Sequence, residues 1–148
     1  MPAAAAWRSV FRAGIGAYWL YFASQKWHGI GWMEPLMRQS ARINPVPGLH
    51  QLLAQVVVPN WQPFALAQAV GETLVGALLV VGLLTRPAAV LATLLALNVS
   101  LTVAFLQPDV GLRWVYYLGV LAGIEVAVNG AGAVALERSR VVPAWLRS

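Results

Sequence analysis

The sequence contains no cysteine and only two histidines among its 148 residues. Without cysteine the chain cannot form disulfides, ligate an iron–sulfur cluster or attach haem through thioether bonds. Both histidines, His28 and His50, fall in a long connecting segment. They cannot supply two axial ligands to a haem inside a membrane, and two loop histidines alone are too few for a metal site. We therefore expect no metal, haem or iron–sulfur cluster on this chain.

Charge is also scarce: charged residues make up 10% of the sequence and hydrophobic residues 59%, with a mean hydropathy of +0.68. Soluble domains usually carry about 25% charged residues, and a small domain leaves much of its surface in water. This composition excludes a soluble enzyme, a nucleic-acid-binding protein and a disordered linker. The lipid bilayer is the expected partner, and nucleic acid is not.

Four apolar runs are long enough to cross a membrane. They cover residues 7–27, 64–84, 87–107 and 114–136. Each has about 21–23 residues, which as a helix crosses ~30 Å of hydrocarbon, and only helices satisfy their own backbone hydrogen bonds in such runs. The sequence therefore predicts an all-α, integral membrane four-helix bundle, with residues 1–148 forming one transmembrane domain.

The connection between the first two runs, residues 28–63, contains five prolines and cannot be a span. Apolar residues recur at helical spacing between Leu49 and Val57, which predicts a short amphipathic helix on the membrane or over the end of the bundle. A second short helix is predicted from Pro35 to Arg42.

Basic residues are unequally divided between the two ends of the spans. One end carries six: Arg8, Arg12, Arg86, Arg138, Arg140 and Arg147. The other end carries four: Lys26, Arg38, Arg42 and Arg113. By the positive-inside rule we expect a multi-pass protein of the cell (inner) membrane with both termini in the cytoplasm and loop 28–63 outside.

Three spans carry a polar side chain close to their middle: Glu72, Asn98 and Glu125. An acidic residue at the centre of a bilayer costs about 2.5–3.5 kcal/mol, so it should face the bundle interior and find a partner. We expect that partner to come from the first span.

Helical spacing indicates which faces meet. On the first span one stripe contains Arg12, Gly16, Trp19, Ala23 and Lys26. On the second span Glu72 shares a stripe with the small residues Ala65, Ala69 and Gly76, which let another helix approach closely. We expect a polar cavity bounded by Arg12, Trp19, Lys26, Glu72, Asn98 and Glu125. Such a cavity is either a working site or a hydrogen-bond cluster that fixes helix register.

Two segments of the sequence carry a family resemblance. The first has the pattern Arg12-x3-Gly16-x2-Trp19-Leu20-x5-Lys26-Trp27, and the second runs from Gly71-Glu72 to Gly82-Leu83-Leu84-Thr85-Arg86. From about residue 8 to 137 the chain resembles the DoxX/DoxD family of four-helix membrane proteins. Within that family it is similar to the DoxD-like small subunit of thiosulfate:quinone oxidoreductase.

The resemblance implies a membrane subunit of a respiratory or sulfur-oxidising redox complex, with other protein subunits as partners and quinone as a possible ligand. The polar residues that match the family pattern are Arg12, Lys26, Glu72 and Arg86. We expect Glu72, Arg12 and Glu125 to act in catalysis, with Trp19, Lys26, Asn98 and Arg86 around the quinone; Glu125 rests on its depth alone.

Two other functions remain open from the sequence. The small size and lack of cofactor ligands also fit a non-catalytic anchor or assembly subunit of a larger membrane complex. Ionisable residues in the membrane also mark transport paths, so a small solute or anion carrier is a third possibility, although the sequence shows no internal repeat of the kind many transporters have.

Overall fold

The computed structural model describes residues 3–139 and 142–143. Arg140 and Arg147, which entered the prediction of orientation, lie outside the described residues. Every regular element in the described part of the chain is helical. The six α-helices are α1 (Ala3–Trp27), α2 (Met33–Ile43), α3 (Leu49–Leu52), α4 (Trp61–Val81), α5 (Thr85–Thr102) and α6 (Val110–Asn129).

Three of the four predicted spans are confirmed as helices long and apolar enough to cross a membrane: Trp61–Val81, Thr85–Leu106 and Val110–Asn129. The second of these joins α5 to the 3-10 turn Val103–Leu106. The first predicted span, α1, is a helix of 25 residues, about 37 Å long at 1.5 Å per residue. It differs from the other three because Arg8, Arg12 and Lys26 interrupt its apolar character.

The last long helix lies earlier in the sequence than the apolar run suggests. Asp109 caps α6 by accepting a hydrogen bond from Gly111 N at 2.7 Å, which starts the helix at Val110 rather than near Trp114. The helix ends at Asn129 because Gly130 takes a positive φ of 71°, a conformation that favours glycine. Residues 130–136 are therefore not part of the span.

Both short helices predicted in the loop are confirmed. The helix α2 covers the segment predicted from Pro35 to Arg42, and α3 continues through a π-helical turn, Leu53–Val57. This part of the loop is tied to the end of α5, since Asn44 Nδ2 donates to Leu101 O at 2.8 Å and Ser40 Oγ donates to Thr102 O at 3.1 Å. We call this end of the molecule the loop end.

The opposite end, which we call the turn end, gathers the start of α1, the α4–α5 turn and residues 130–139. Ala133 N donates to Ala5 O at 3.0 Å, and Glu137 N donates to Gly82 O at 3.0 Å. The chain thus enters α1 and leaves α6 at the same end of the molecule.

Small residues set the packing of the long helices. Gly16 of α1 meets α4 so closely that an added Cβ would lie 2.7 Å from Val80 N, and one on Gly76 would lie 2.9 Å from Gly16 O. The helix α5 packs between α4 and α6, with an alanine face buried in the core. Large apolar residues such as Leu74, Leu94 and Leu121 face outward, as lipid-facing positions do.

Candidate functional site

A buried ion pair joins α1 to α4. Lys26 Nζ lies 2.7 Å from Glu72 Oε2, and the two side chains are only 7% and 3% exposed. The predicted stripes are confirmed, since the buried positions of α1 include Arg12, Gly16, Trp19, Ala23 and Lys26 and those of α4 include Ala65, Ala69, Glu72 and Gly76. The expectation that Glu72 faces the bundle interior and pairs with a cation is confirmed, and the cation is Lys26.

Helix geometry explains how a lysine near the end of α1 reaches a carboxylate in the middle of α4. Side chains on a helix lean toward its N-terminus, so Lys26, at the loop end of α1, extends back into the bundle. Its ammonium also lies 3.4 Å from Phe22 O, one turn earlier, and 5.8 Å from the centroid of the Trp32 ring. The apolar stem of the lysine is buried while its charge reaches Glu72.

Two amides extend this pair to the surface of the bundle. Gln68 Nε2 donates to Glu72 Oε1 at 2.8 Å, and Asn98 Nδ2 of α5 donates to Gln68 Oε1 at 3.3 Å. Gln68 is half-buried and Asn98 is exposed, among outward-facing leucines of α5. We call Lys26, Glu72, Gln68 and Asn98 the polar cluster. It runs from a dry ion pair between α1 and α4 to an amide on the lipid-facing surface of α5.

Arg12 does not join this cluster. Its Nε donates to Ala131 O at 3.0 Å and its Nη2 to Val134 O at 2.6 Å, while Nη1 contacts the carbonyl oxygens of Leu79 and Val80 at the end of α4. We call this set of contacts the arginine clamp. The predicted single cavity containing both Arg12 and Glu72 is therefore wrong: the guanidinium binds carbonyls at the turn end.

Glu125 also lies elsewhere. Its side chain is exposed, and its Oε1 accepts a hydrogen bond from Asn129 Nδ2 at 2.7 Å. Together with Arg8 it lines a shallow groove between the start of α1 and the end of α6. The expectation that Glu125 faces the interior beside Glu72 is wrong, because α6 presents a different side to α5.

The remaining predicted residues divide between the core and the surface. Trp19 is 5% exposed and packs in the main hydrophobic core with Val75 and Leu79, so its ring is surrounded by side chains rather than facing lipid. Arg86 is exposed at the turn end, where a Cβ added to Gly130 would lie 3.6 Å from the Arg86 Nε. The structure therefore brings together Lys26, Glu72 and Asn98 and separates them from Arg12, Arg86 and Glu125.

The chain was also compared with known proteins. A sequence model of the DoxX family matches residues 8–105. The chain belongs to the DoxX family. No curated protein and no solved structure matches it. The matched region contains the whole polar cluster, whereas the segment whose carbonyls bind Arg12, around Ala131 and Val134, lies beyond it.

Two functional candidates in this DoxX protein were missed in the sequence. Gln68 is four residues before Glu72, a spacing that places both side chains on one helix face, so the signal was present. Glu137 is buried, and its Oε2 accepts a hydrogen bond from Thr85 N at 3.0 Å, which places a carboxylate at the positive N-terminus of α5. No local pattern predicts that contact, since the residues lie far apart in the sequence.

The polar cluster joins a buried ion pair to a hydrogen-bonding surface. The ammonium of Lys26 stabilises negative charge on Glu72, and Gln68 connects that carboxylate to Asn98. Asn98 uses one N–H for Gln68 and, within the described residues, keeps its Oδ1 and its second N–H available. No group of three or more metal-ligating side chains occurs among the residues that the structure describes.

Proposed function

We propose that this DoxX-family protein is a membrane subunit of a redox complex whose polar cluster faces quinone, as the resemblance to the DoxD-like subunit of thiosulfate:quinone oxidoreductase implies. The observation that carries the proposal is the continuous set of contacts from the buried Lys26–Glu72 pair, through Gln68, to the exposed amide of Asn98. A buried ion pair is a costly feature in a membrane protein, and such residues usually have a functional role.

The side chains of the cluster fit a quinone. A bound quinone supplies two-electron, two-proton redox chemistry. Asn98 is placed to donate a hydrogen bond to a carbonyl oxygen that arrives from the lipid. The Glu72 carboxylate lies behind it, joined to Asn98 through Gln68, where it can accept a proton. Lys26 keeps the charge of Glu72 balanced in the dry interior. The electrons must come from a partner subunit or a bound donor, because the chain carries no cysteine for an iron–sulfur centre.

We also propose that α1 crosses the membrane in addition to the three apolar spans, which makes four crossings. Both termini then lie in the cytoplasm of an inner-membrane protein. The hydrogen bond from Ala133 N to Ala5 O joins the start of α1 to the segment after α6 at one end of the molecule, which supports an even number of crossings. Since the chain lacks cysteine, single introduced thiols can test the orientation. Gln39 on α2 and Ala4 at the start of α1 are both exposed. In whole cells an impermeant maleimide is expected to label Gln39→Cys but not Ala4→Cys, and the opposite pattern would contradict the orientation.

Photolabelling tests quinone binding. Full-length protein in lipid nanodiscs is irradiated with an azido-quinone, and labelled peptides are mapped. We expect labels around Asn98 in α5 and the facing part of α4. Asn98→Leu should weaken labelling about tenfold, since a hydrogen bond of ~1.4 kcal/mol corresponds to a factor of ten in affinity. The matched control Asn129→Leu, an amide at the other end of the molecule, should change nothing.

A second measurement addresses the carboxylate. Infrared difference spectra on adding quinone should show a change in a carboxyl band that disappears in Glu72→Gln. Equal photolabelling of wild type and Asn98→Leu, together with no carboxyl change for any quinone, would contradict the proposal.

A second candidate function is that of an assembly subunit without chemistry of its own. It is favoured because both carboxylate oxygens of Glu72 already have partners: Lys26 binds one and Gln68 binds the other. A buried ion pair whose role is to fix helix register needs such complete pairing. If Glu72→Gln leaves electron transfer of the whole complex intact while deletion of the chain prevents its assembly, this second candidate is correct.

A further inference from the structure

A groove between α1 and α6 at the turn end contains two opposite charges that do not meet. It is lined by Trp7, Arg8, Phe11, Glu125 and Asn129. Within the described part of the chain, Arg8 forms no ion pair, and Glu125 accepts hydrogen bonds only from Asn129. Neither the quinone proposal nor the arginine clamp uses these two charges.

The same side of the molecule is unusually open. Only 11% of the apolar window of α6 is buried, and α1 and α6 contact each other far less than α5 and α6 do. Trp7, which lines the groove, is 65% exposed, and Val128, the neighbour of Asn129 on α6, is 67% exposed. Glu125 lies one turn before the end of α6, and a carboxylate beside exposed apolar side chains there is stabilised by a cation that pairs with it.

Membrane geometry restricts what can supply that cation. When a two-fold axis along the membrane normal relates two copies of the chain, each residue lies at the same membrane depth in both copies. A charged side chain of one copy can therefore pair only with a side chain of the other copy that lies at a similar depth. Arg8 and Glu125 line one groove and so lie at similar depth. Rotating the molecule about an axis in front of the groove places α1 of one copy opposite α6 of the other, as an isologous interface requires.

We propose that the α1–α6 groove is the interface of a homodimer, held by two reciprocal ion pairs between Arg8 of one protomer and Glu125 of the other. The exposed apolar side chains beside the groove form the rest of the contact. Asn129 orients the carboxylate, since its Nδ2 lies 2.7 Å from Glu125 Oε1. The partner is a second copy of this chain, because that copy presents the complementary charges at matching depth.

Reversing one charge at a time provides the test. Two copies of the full chain with different affinity tags are co-expressed, extracted in mild detergent and purified through both tags in succession. Wild-type chains are expected to be recovered together. Arg8→Glu alone places like charges at both contacts, and Glu125→Arg alone does the same. Each should reduce recovery at least about tenfold, which corresponds to ~1.4 kcal/mol of lost pairing.

The decisive sample combines the two variants. A protomer with Arg8→Glu next to one with Glu125→Arg restores an opposite-charge pair at both contacts, so recovery should return to within about twofold of wild type, a difference of less than ~0.5 kcal/mol. Arg38→Glu, the same charge change on α2, serves as control and should not affect recovery. Pairing of Arg8 with Glu125 inside one protomer cannot produce this rescue.

Three results would overturn the proposal. The first is a wild-type chain that is monomeric in mild detergent and in nanodiscs, including the case in which native mass spectrometry finds a phospholipid on each monomer. The second is a dimer that neither single charge reversal weakens. The third is a pair of single variants that fold as monomers, each with the thermal stability of wild type, yet do not associate when combined.

Discussion

The two buried cations of α1 are stabilised in different ways. Lys26, at the loop end, is paired with the carboxylate of Glu72, whereas Arg12, at the turn end, binds backbone carbonyls of α4 and of the segment after α6. The side-chain carboxylate can bind a proton and can be removed by mutation. A backbone carbonyl does not ionise and is present whatever the residue type. The polar cluster can therefore be changed from both sides of its ion pair, whereas the arginine clamp can be changed only at Arg12.

The clamp should show the largest effect on stability. Arg12→Met removes donors from carbonyls in two separate segments, and each hydrogen bond from a charged group contributes about 1.5–3 kcal/mol. We expect the free energy of unfolding in mixed micelles to fall by about 5 kcal/mol, given that such contributions do not add fully. Arg38→Met on exposed α2 is the control, since a surface pair contributes about 0–1 kcal/mol. An equal loss of unfolding free energy in Arg12→Met and Arg38→Met would contradict a structural role for the arginine clamp.

The ion pair should behave differently when both partners are changed. Lys26→Met leaves the buried carboxylate of Glu72 without a cation, which is expected to cost about 3–5 kcal/mol. Adding Glu72→Leu removes that charge, and most of the lost stability should return. A double variant less stable than Lys26→Met would show that the pair is not coupled as the structure indicates. The hydrogen-bond acceptors of the clamp are main-chain oxygens, which no substitution removes.

A smaller effect is expected at glycines near the two sites. Gly82 has a φ of +71°, and an added Cβ would lie 2.6 Å from Arg12 Nη1; Gly82→Ala should cost about 2 kcal/mol through backbone strain and displacement of the guanidinium. Gly71, next to Glu72, has only the flexible tip of Leu95 at 3.3 Å. Gly71→Ala should therefore leave the free energy of unfolding in mixed micelles almost unchanged, and equal losses in the two variants would contradict this account of the turn end.

The sequence predicted those parts of the site that depend on a single helix. The stripes that contain Lys26 and Glu72 follow from helical spacing, and the structure buries both of these residues. The position of Glu125 could not be predicted in this way, because α6 is apolar on nearly all sides and its orientation depends on packing against α5.

The clamp was beyond sequence reasoning for a different reason. The partners of Arg12 are main-chain oxygens, and any residue type carries one, so no pattern identifies them. The expected end of the last span also shifted, since Gly130 ends α6 and frees residues 131–134 to fold back onto Arg12.

The contact between Lys26 and Glu72 can be measured directly, because Lys26 is the only lysine in the chain. Protein labelled with 15N at lysine Nζ and 13C at glutamate Cδ, reconstituted in lipid, gives a single ammonium signal by solid-state NMR. The 2.7 Å separation of Nζ and Oε2 predicts strong dipolar dephasing of that signal by a carboxyl carbon, lost in Glu72→Gln and kept in Glu125→Gln. An ammonium signal that no carboxyl carbon dephases would contradict the buried pair.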